Sequence, residues 1–331
     1  MRAWQVEQHG KPHDALRLVD IESPTPGPGE VRLRVRAAAL GMPDAFMCMD
    51  SYALTPPLPF VAGQEVCGTV VDVGEGVDAS LAPGTRLMGV TCFNFGKGGF
   101  AEETVARADS LHRVPDAMPD VDAAGFRIGY STAWIGLVRR GRLQPGEHLL
   151  VLGATGGSGA TAVQLGKALG AHVIAVAGGA AKAEHCRALG ADVVIDRTIT
   201  SVREAVLDAT GGHGADLVYD PVGGDPAHEA LRCIANEGRF LAIGFASGRW
   251  VHVDTHHAVQ RNYSLVGVYA GAYTREQNVA DHEELLRLYE SGALASPVTR
   301  TVPFDELPDA LDEVATGRVI GKLVLLPPQP A

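Results

Sequence analysis

The stretch HLLVLGATGGSGATAVQLGKALG, residues 148–170, decides the fold. Residues 148–152 form a short, nearly uninterrupted apolar run, the pattern of a strand buried on both faces. Residues 153–159 then place glycine at positions 153, 156, 157 and 159, and 160–169 read as a helix. Strand, glycine turn and helix in immediate succession make one βα unit. The rhythm recurs, with strands expected at 172–177, 192–195, 216–219, 239–243 and 265–269. Helices are expected at 181–189 and 227–234. Six such strands alternating with helices predict an α/β domain built on a doubly wound parallel six-stranded sheet.

Upstream of this region the pattern changes. Up to about Val114, short apolar runs such as 31–35 and 67–73 lie between Pro/Gly clusters such as 24–29, which reads as a barrel-like β-rich domain. Downstream, an amphipathic stretch at 276–289, a strand at 298–302, a short helix at 308–316 and an apolar finish at 322–326 are too few for a third domain. They are expected to return to the first half. The division is therefore a β-rich domain begun by 1–122, a parallel-sheet domain over 123–268, and a return over 269–331. A chain of 331 residues exceeds the size at which single cores stop growing, in keeping with two domains.

Composition narrows the function. A net charge of -11 repels nucleic-acid phosphates and anionic lipid, and no basic block offsets it locally. No nucleic-acid or membrane partner is expected, and no apolar run approaches the ~18 residues of a membrane span. The amino terminus lacks a signal-peptide pattern, and the five cysteines, at 48, 67, 92, 186 and 233, contain no Cys-x-x-Cys pair. A cytoplasmic protein with free thiols is expected. Neither Cys48 nor Cys67 has a context that would lower its pKa, and His252, His256 and His257 lack a completing ligand, so no metal is expected.

The glycine turn has the chemistry of a dinucleotide site. Gly156 lets the backbone approach a pyrophosphate and Gly159 lets the helix pack against the strand, while the N–H groups at the helix start face the negative charge. Ala154 stands where the fingerprint usually has its first glycine. In NAD-selective proteins a carboxylate ends the second strand and binds the ribose 2′-hydroxyl; here that place reads Ala177, Gly178, Gly179. Lys182 and Arg197 follow, both able to meet a 2′-phosphate. NADPH is the expected cofactor.

These residues resemble the zinc-free quinone oxidoreductase (zeta-crystallin-like) branch of the medium-chain dehydrogenase/reductase superfamily over nearly the whole chain. The branch's signature is met by Gly146, Glu147, Leu150, Ala154, Gly156, Gly157, Gly159, Gln164 and Lys167, with Thr155 where Ser or Ala is usual. Zinc-dependent relatives have Cys-His where this chain has Gly41 and Met42, and Gly-His-Glu where it has Gly63, Gln64 and Glu65. The resemblance implies a GroES-like catalytic domain, a Rossmann domain, a cleft between them and a homodimer. Carried over by position, the cofactor contacts it implies are Thr132, Gly156, Gly157, Ser158, Gly178, Lys182, Arg197, Val222, Gly244, Phe245, Tyr269 and Lys322. Arg197 replaces a tyrosine common in the branch.

Hydride transfer is the nicotinamide's chemistry, and the protein supplies position and polar groups for charge developing on the acceptor. A site without zinc suits an already electrophilic small molecule, a quinone or related conjugated carbonyl. The candidate proton donors are Tyr52, Tyr130 and Thr132; Tyr52 reads equally as a partly buried aromatic closing its loop. Gly41, Met42, Tyr52 and Gln64 are the expected substrate pocket. Gly41 departs from the Asn-x-Pro-Asp arrangement of the branch, and Asp44 and Glu65 are assigned no catalytic role. Reduction of enones or enoyl thioesters, and cofactor binding without catalysis, are the alternatives.

Overall fold

The computed structural model describes residues 1–329, and they form two compact units. The first comprises 1–128 together with the return segment from Ser296, and the second is Gly129–Ala295.

In the first unit the strands are β1 (Arg2–Val6), β2 (Leu16–Asp20), β3 (Glu30–Leu40), β4 (Phe60–Val61), β5 (Glu65–Val73), β6 (Arg86–Val90), β7 (Glu103–Arg107) and β8 (Leu111–Arg113). The second unit carries β9 (His148–Val151), β10 (His172–Ala177), β11 (Val193–Asp196), β12 (Ala215–Asp220), β13 (Ile234–Ala242) and β14 (Ser264–Gly267). Two more strands, β15 (Val298–Pro303) and β16 (Lys322–Leu326), complete the first unit.

The first unit is a mostly antiparallel sheet in the order β15-β16-β3-β5-β6-β8, with β7 also on β3, beside a small β2-β1-β4 sheet. Strand β3 alternates, with Val31, Leu33 and Val35 fully buried and Arg32 and Arg34 turned outward to Glu103. That period-2 pattern gives the sheet one apolar face. The core beneath it gathers Trp4, Phe60, Phe100, Met47 and Leu325 among others. The carboxy-terminal strand β16 joins it antiparallel to β3, Leu323 opposite Leu40.

The second unit is the six-stranded parallel sheet, in the order β11-β10-β9-β12-β13-β14. This is the doubly wound order, and the direction of winding reverses between β9 and β12. Leu149, Leu150 and Val151 are each wholly buried because helices cover both faces. One element differs from the sequence reading: the helix expected at 227–234 spans Gly224–Leu231, and Ile234 instead opens β13 by pairing with Ala215. A register shift and a left-handed Glu237 then let the strand continue, a bulge that alternation alone does not reveal.

The compact units are cut after Ile128 and Ala295, whereas the sequence boundaries lie after residues 122 and 268. The second difference is the helix Arg275–Glu290. Its buried Asp281 accepts two hydrogen bonds from Arg139, at 2.7 Å each, and one from Trp134 Nε1 at 2.9 Å, which fixes it to the second unit.

Candidate functional site

In the second unit, the turn after β9 is shaped by backbone contacts that only glycine permits. Gly153 adopts φ +56°. A Cβ on Gly159 would stand 2.2 Å from the Gly153 carbonyl oxygen and 2.8 Å from Ala154 Cα, so any side chain there would push the helix off the strand. Gly156 is the opposite case, since a Cβ there would meet nothing nearer than 3.5 Å, leaving the backbone open to a ligand. Gly156 caps the helix Gly157–Ala168, whose first N–H groups have no acceptor within the helix. Such a terminus accommodates an anion. Ser158, one of the expected contacts, shares a 2.8 Å hydrogen bond between its Oγ and the Tyr219 hydroxyl.

The other expected contacts in this unit lie along the same edge of the sheet, the carboxyl ends of the strands. Gly178 follows β10, Arg197 follows β11, Val222 follows β12, Gly244 and Phe245 follow β13, and Tyr269 follows β14. Ligands of open α/β sheets bind at this edge, at the strand-order reversal. There, a Cβ on Gly153 would come within 2.8 Å of Val222 Cγ2. Phe245 packs its ring 4.7 Å from that of Trp250, and Tyr269 is 61% exposed. Thr132 is half-buried on the helix Asp120–Trp134.

At the ends of β10 and β11 the charge is positive. Gly178 lies under the Arg197 guanidinium, with its virtual Cβ 3.4 Å from Nη2. Burial, and then the charge of Arg197, push the Lys182 ammonium below its ordinary pKa, so the two cations feel one another. Like charges held together are stabilised when an anion joins them. Asp196, at the end of β11, feels the charge of Arg197, and its Oδ1 accepts from Gly179 N, Thr198 N and Thr198 Oγ1 at 2.7–3.0 Å.

The first unit holds the remaining candidates except Tyr130. Gly41 caps the helix Met42–Cys48, its N–H donating to Asp44 Oδ2 at 2.8 Å, while Gln64 N donates to Oδ1 at 3.1 Å. Gln64 is itself buried with Nε2 3.6 Å from the Met47 sulfur. Tyr52 is half-buried against the core of this unit. Lys322 is buried and ion-paired with Glu65, whose other oxygen accepts from Ile128 N at 2.6 Å. Burial raises Asp44 to about 7, outweighing its two backbone donors and the charge of Lys322, with Glu65 pushing the same way. Tyr130, in the second unit, is wholly buried, and its hydroxyl donates to the Ala295 carbonyl at 2.7 Å. Burial raises its pKa well above the usual phenol range.

Sequence reasoning missed several of these arrangements. The signature residues Glu147 and Lys167 serve packing: Glu147 takes both ends of the Arg239 guanidinium at 2.7–2.9 Å, and Lys167 pairs with Asp192 at 2.6 Å. Asp220, at the strand reversal, accepts from Val222 N and Gly223 N at 2.8 Å each, and burial raises it to about 6. Its Oδ2 has no hydrogen-bond partner among the described residues. The strand expected at 216–219, which ends beside it, was the available signal.

Comparison with known proteins places the chain. Its residues 27–116 match the family described as the alcohol dehydrogenase GroES-like domain, and residues 157–290 match the zinc-binding dehydrogenase family. It is 34% identical to the quinone oxidoreductase-like protein 2 homolog of Nematostella vectensis, across 98% of this chain and 88% of that one. Among solved structures it is similar to mycobacterial Rv1454c complexed with NADPH, with TM-score 0.92, 30% identity and 99% and 100% of the two chains covered. It is also similar to the Escherichia coli quinone oxidoreductase complexed with NADPH, with TM-score 0.90, 26% identity and 99% and 100% covered. The chain belongs to the medium-chain dehydrogenase/reductase superfamily of oxidoreductases, in its quinone oxidoreductase branch.

Proposed function

We propose that this oxidoreductase binds NADPH on the turn from Gly153 to Gly159 and reduces a quinone or a related conjugated carbonyl without zinc. The observation that carries the cofactor assignment is the Arg197 guanidinium over Gly178, where the second and third strands end, with Lys182 close enough to feel its charge. The ribose 2′-phosphate is the part of NADPH that such a pair recognises, by charge-assisted hydrogen bonds. Both neighbouring structures described as NADPH complexes support the reading. When bound, the nicotinamide supplies the hydride.

The chain's own residues have simpler tasks. The amino end of the helix Gly157–Ala168 holds the pyrophosphate, and Val222, Gly244, Phe245 and Tyr269 border the dinucleotide along the sheet edge. Lys322 is proposed to keep Glu65 neutralised while directing a remaining N–H to the cofactor. Gly41 and Gln64 carry no side chain fit to join a zinc site where zinc-dependent relatives have Cys-His and His, which supports a zinc-independent reaction. Gly41, Met42, Tyr52 and Gln64 are proposed to line the acceptor pocket. Thr132 and Tyr52 are the donors favoured for the reduced acceptor, since the Tyr130 hydroxyl is committed to Ala295. A cytoplasmic homodimer is the proposed state.

NADPH oxidation with benzoquinone, a simple enone and crotonyl-CoA tests this. Turnover of benzoquinone, alone or with the enone, supports the reading. Turnover of the thioester alone would replace the acceptor class, and binding of NADPH without oxidation across the panel would replace the enzyme by a cofactor-binding protein.

A further inference from the structure

The amino-terminal edge of the six-stranded sheet, opposite the glycine turn, gathers three histidines and an aspartate. His148 and His172 open β9 and β10 and stand opposite one another in the parallel register. Their rings stack with centroids 5.6 Å apart and planes 29° from parallel, so His172 limits the rotation of His148. On the other side, Leu217 of β12 pairs with Leu149, which sets Asp216 beside His148. His148 N donates to Asp216 Oδ2 at 2.8 Å, and its Nδ1 lies 3.4 Å from the same oxygen. His213, from the turn before β12, brings Nε2 to 2.7 Å from Asp216 Oδ1.

One ligand atom from each of His148, His213 and Asp216 lies within 4.8 Å of the others. We propose that these three side chains form a binding site for a divalent first-row transition ion of the Zn²⁺ class, separate from the dinucleotide site. Two imidazoles and one carboxylate are a donor set for Zn²⁺. Tetrahedral bonds of about 2.0–2.2 Å separate neighbouring ligand atoms by about 3.4 Å. The distance from His148 Nδ1 to Asp216 Oδ2 already has that value. The shorter hydrogen bond between His213 Nε2 and Asp216 Oδ1 is made to the other carboxylate oxygen and gives way as the ion takes the His213 nitrogen. The His213 side chain is 53% exposed and Asp216 20%, so the ion has a path from solvent and water can fill the fourth position.

The surrounding charges leave the carboxylate ready for a cation. The nearest strong cation, Arg239, is taken up by Glu147 and touches Asp216 only at its backbone carbonyl, 3.1 Å away. Lys167, near His172, is paired with Asp192. Sequence reading had expected no metal, since residues 148 and 213–216 come together only through the register of β9 and β12.

The full chain, treated with chelator and dialysed, is titrated with Zn²⁺ by calorimetry, and with Co²⁺ by visible absorption. One ion per chain, a Co²⁺ spectrum of nitrogen and oxygen ligands, and a Zn²⁺-dependent rise in melting temperature are expected. His213→Ala and Asp216→Asn should each weaken Zn²⁺ by about tenfold or more and remove the rise in melting temperature, with circular dichroism used to check that each variant folds. Absence of binding by the parent chain would overturn the proposal. So would binding of undiminished affinity in both variants, or equally strong competition by Mg²⁺.

Discussion

The two edges of the Rossmann sheet contrast with the buried interior of the first unit. Along the carboxyl edge, the candidate cofactor site is made mostly of backbone: a glycine turn, a helix start and loops that end successive strands. In the first unit, the candidate site rests on buried ionisable side chains, Asp44, Glu65 and Lys322. A backbone site tolerates changes of side chain wherever a Cβ fits and fails where one does not. A charge site fails when one partner is removed and survives when the whole set is replaced.

The largest test of this contrast is Lys322→Met. It leaves Glu65 buried and unpaired, and should lower stability by about 3–5 kcal/mol in urea unfolding at pH 7. Adding Glu65→Gln should restore part of that loss. An effect near zero for the single variant would show that the pair is exposed to water in solution.

Next in size is Gly159→Ala in the backbone site. The methyl would overlap the Gly153 carbonyl, so stability should fall by about 1–3 kcal/mol, with NADPH binding reduced in parallel. Gly156→Ala, where the same methyl meets only the Gly153 oxygen at an ordinary contact distance of 3.5 Å, should leave stability almost unchanged while weakening the cofactor. Equal stability losses at both positions would erase the distinction between them.

The parallel-sheet fold was legible because its signals are local. Apolar runs, glycine turns and helix periodicity lie within stretches such as 148–170, and the strands at 172–177 and 322–326 coincide with β10 and β16. The strand ends that carry the proposed cofactor contacts could be placed for the same reason, since each strand end is a sequence position. The Glu65–Lys322 pair spans 257 residues and the His148–Asp216 contact 68, and neither has a local signature. The bulge at Glu237 escaped because a left-handed residue other than glycine gives no pattern. Tyr130 shows the limit of position alone: the sequence offers it as a candidate proton donor, yet only the fold reveals that its hydroxyl donates to Ala295.

A pH-dependent effect separates Asp44 from the surface carboxylates. Its folded pKa is raised to about 7 from 3.8, so between those values the native state holds a proton that the unfolded chain has released. This group's contribution therefore falls as pH rises from about 4 to about 7, with a slope of at most about 1.4 kcal/mol per pH unit. Asp44→Asn should remove that slope, which urea unfolding at several pH values measures. Identical slopes in parent and variant would show that Asp44 is ionised in the native state.

The most direct measurement is fluorescence titration of the parent and Lys182→Ala with NADPH and with NADH. If the turn and the two cations hold a 2′-phosphate, the variant binds NADPH about tenfold or more weakly, corresponding to ~1.5–3 kcal/mol for a hydrogen bond to a charged group, while NADH affinity is unchanged. Equal weakening of both cofactors, or none, would contradict the account.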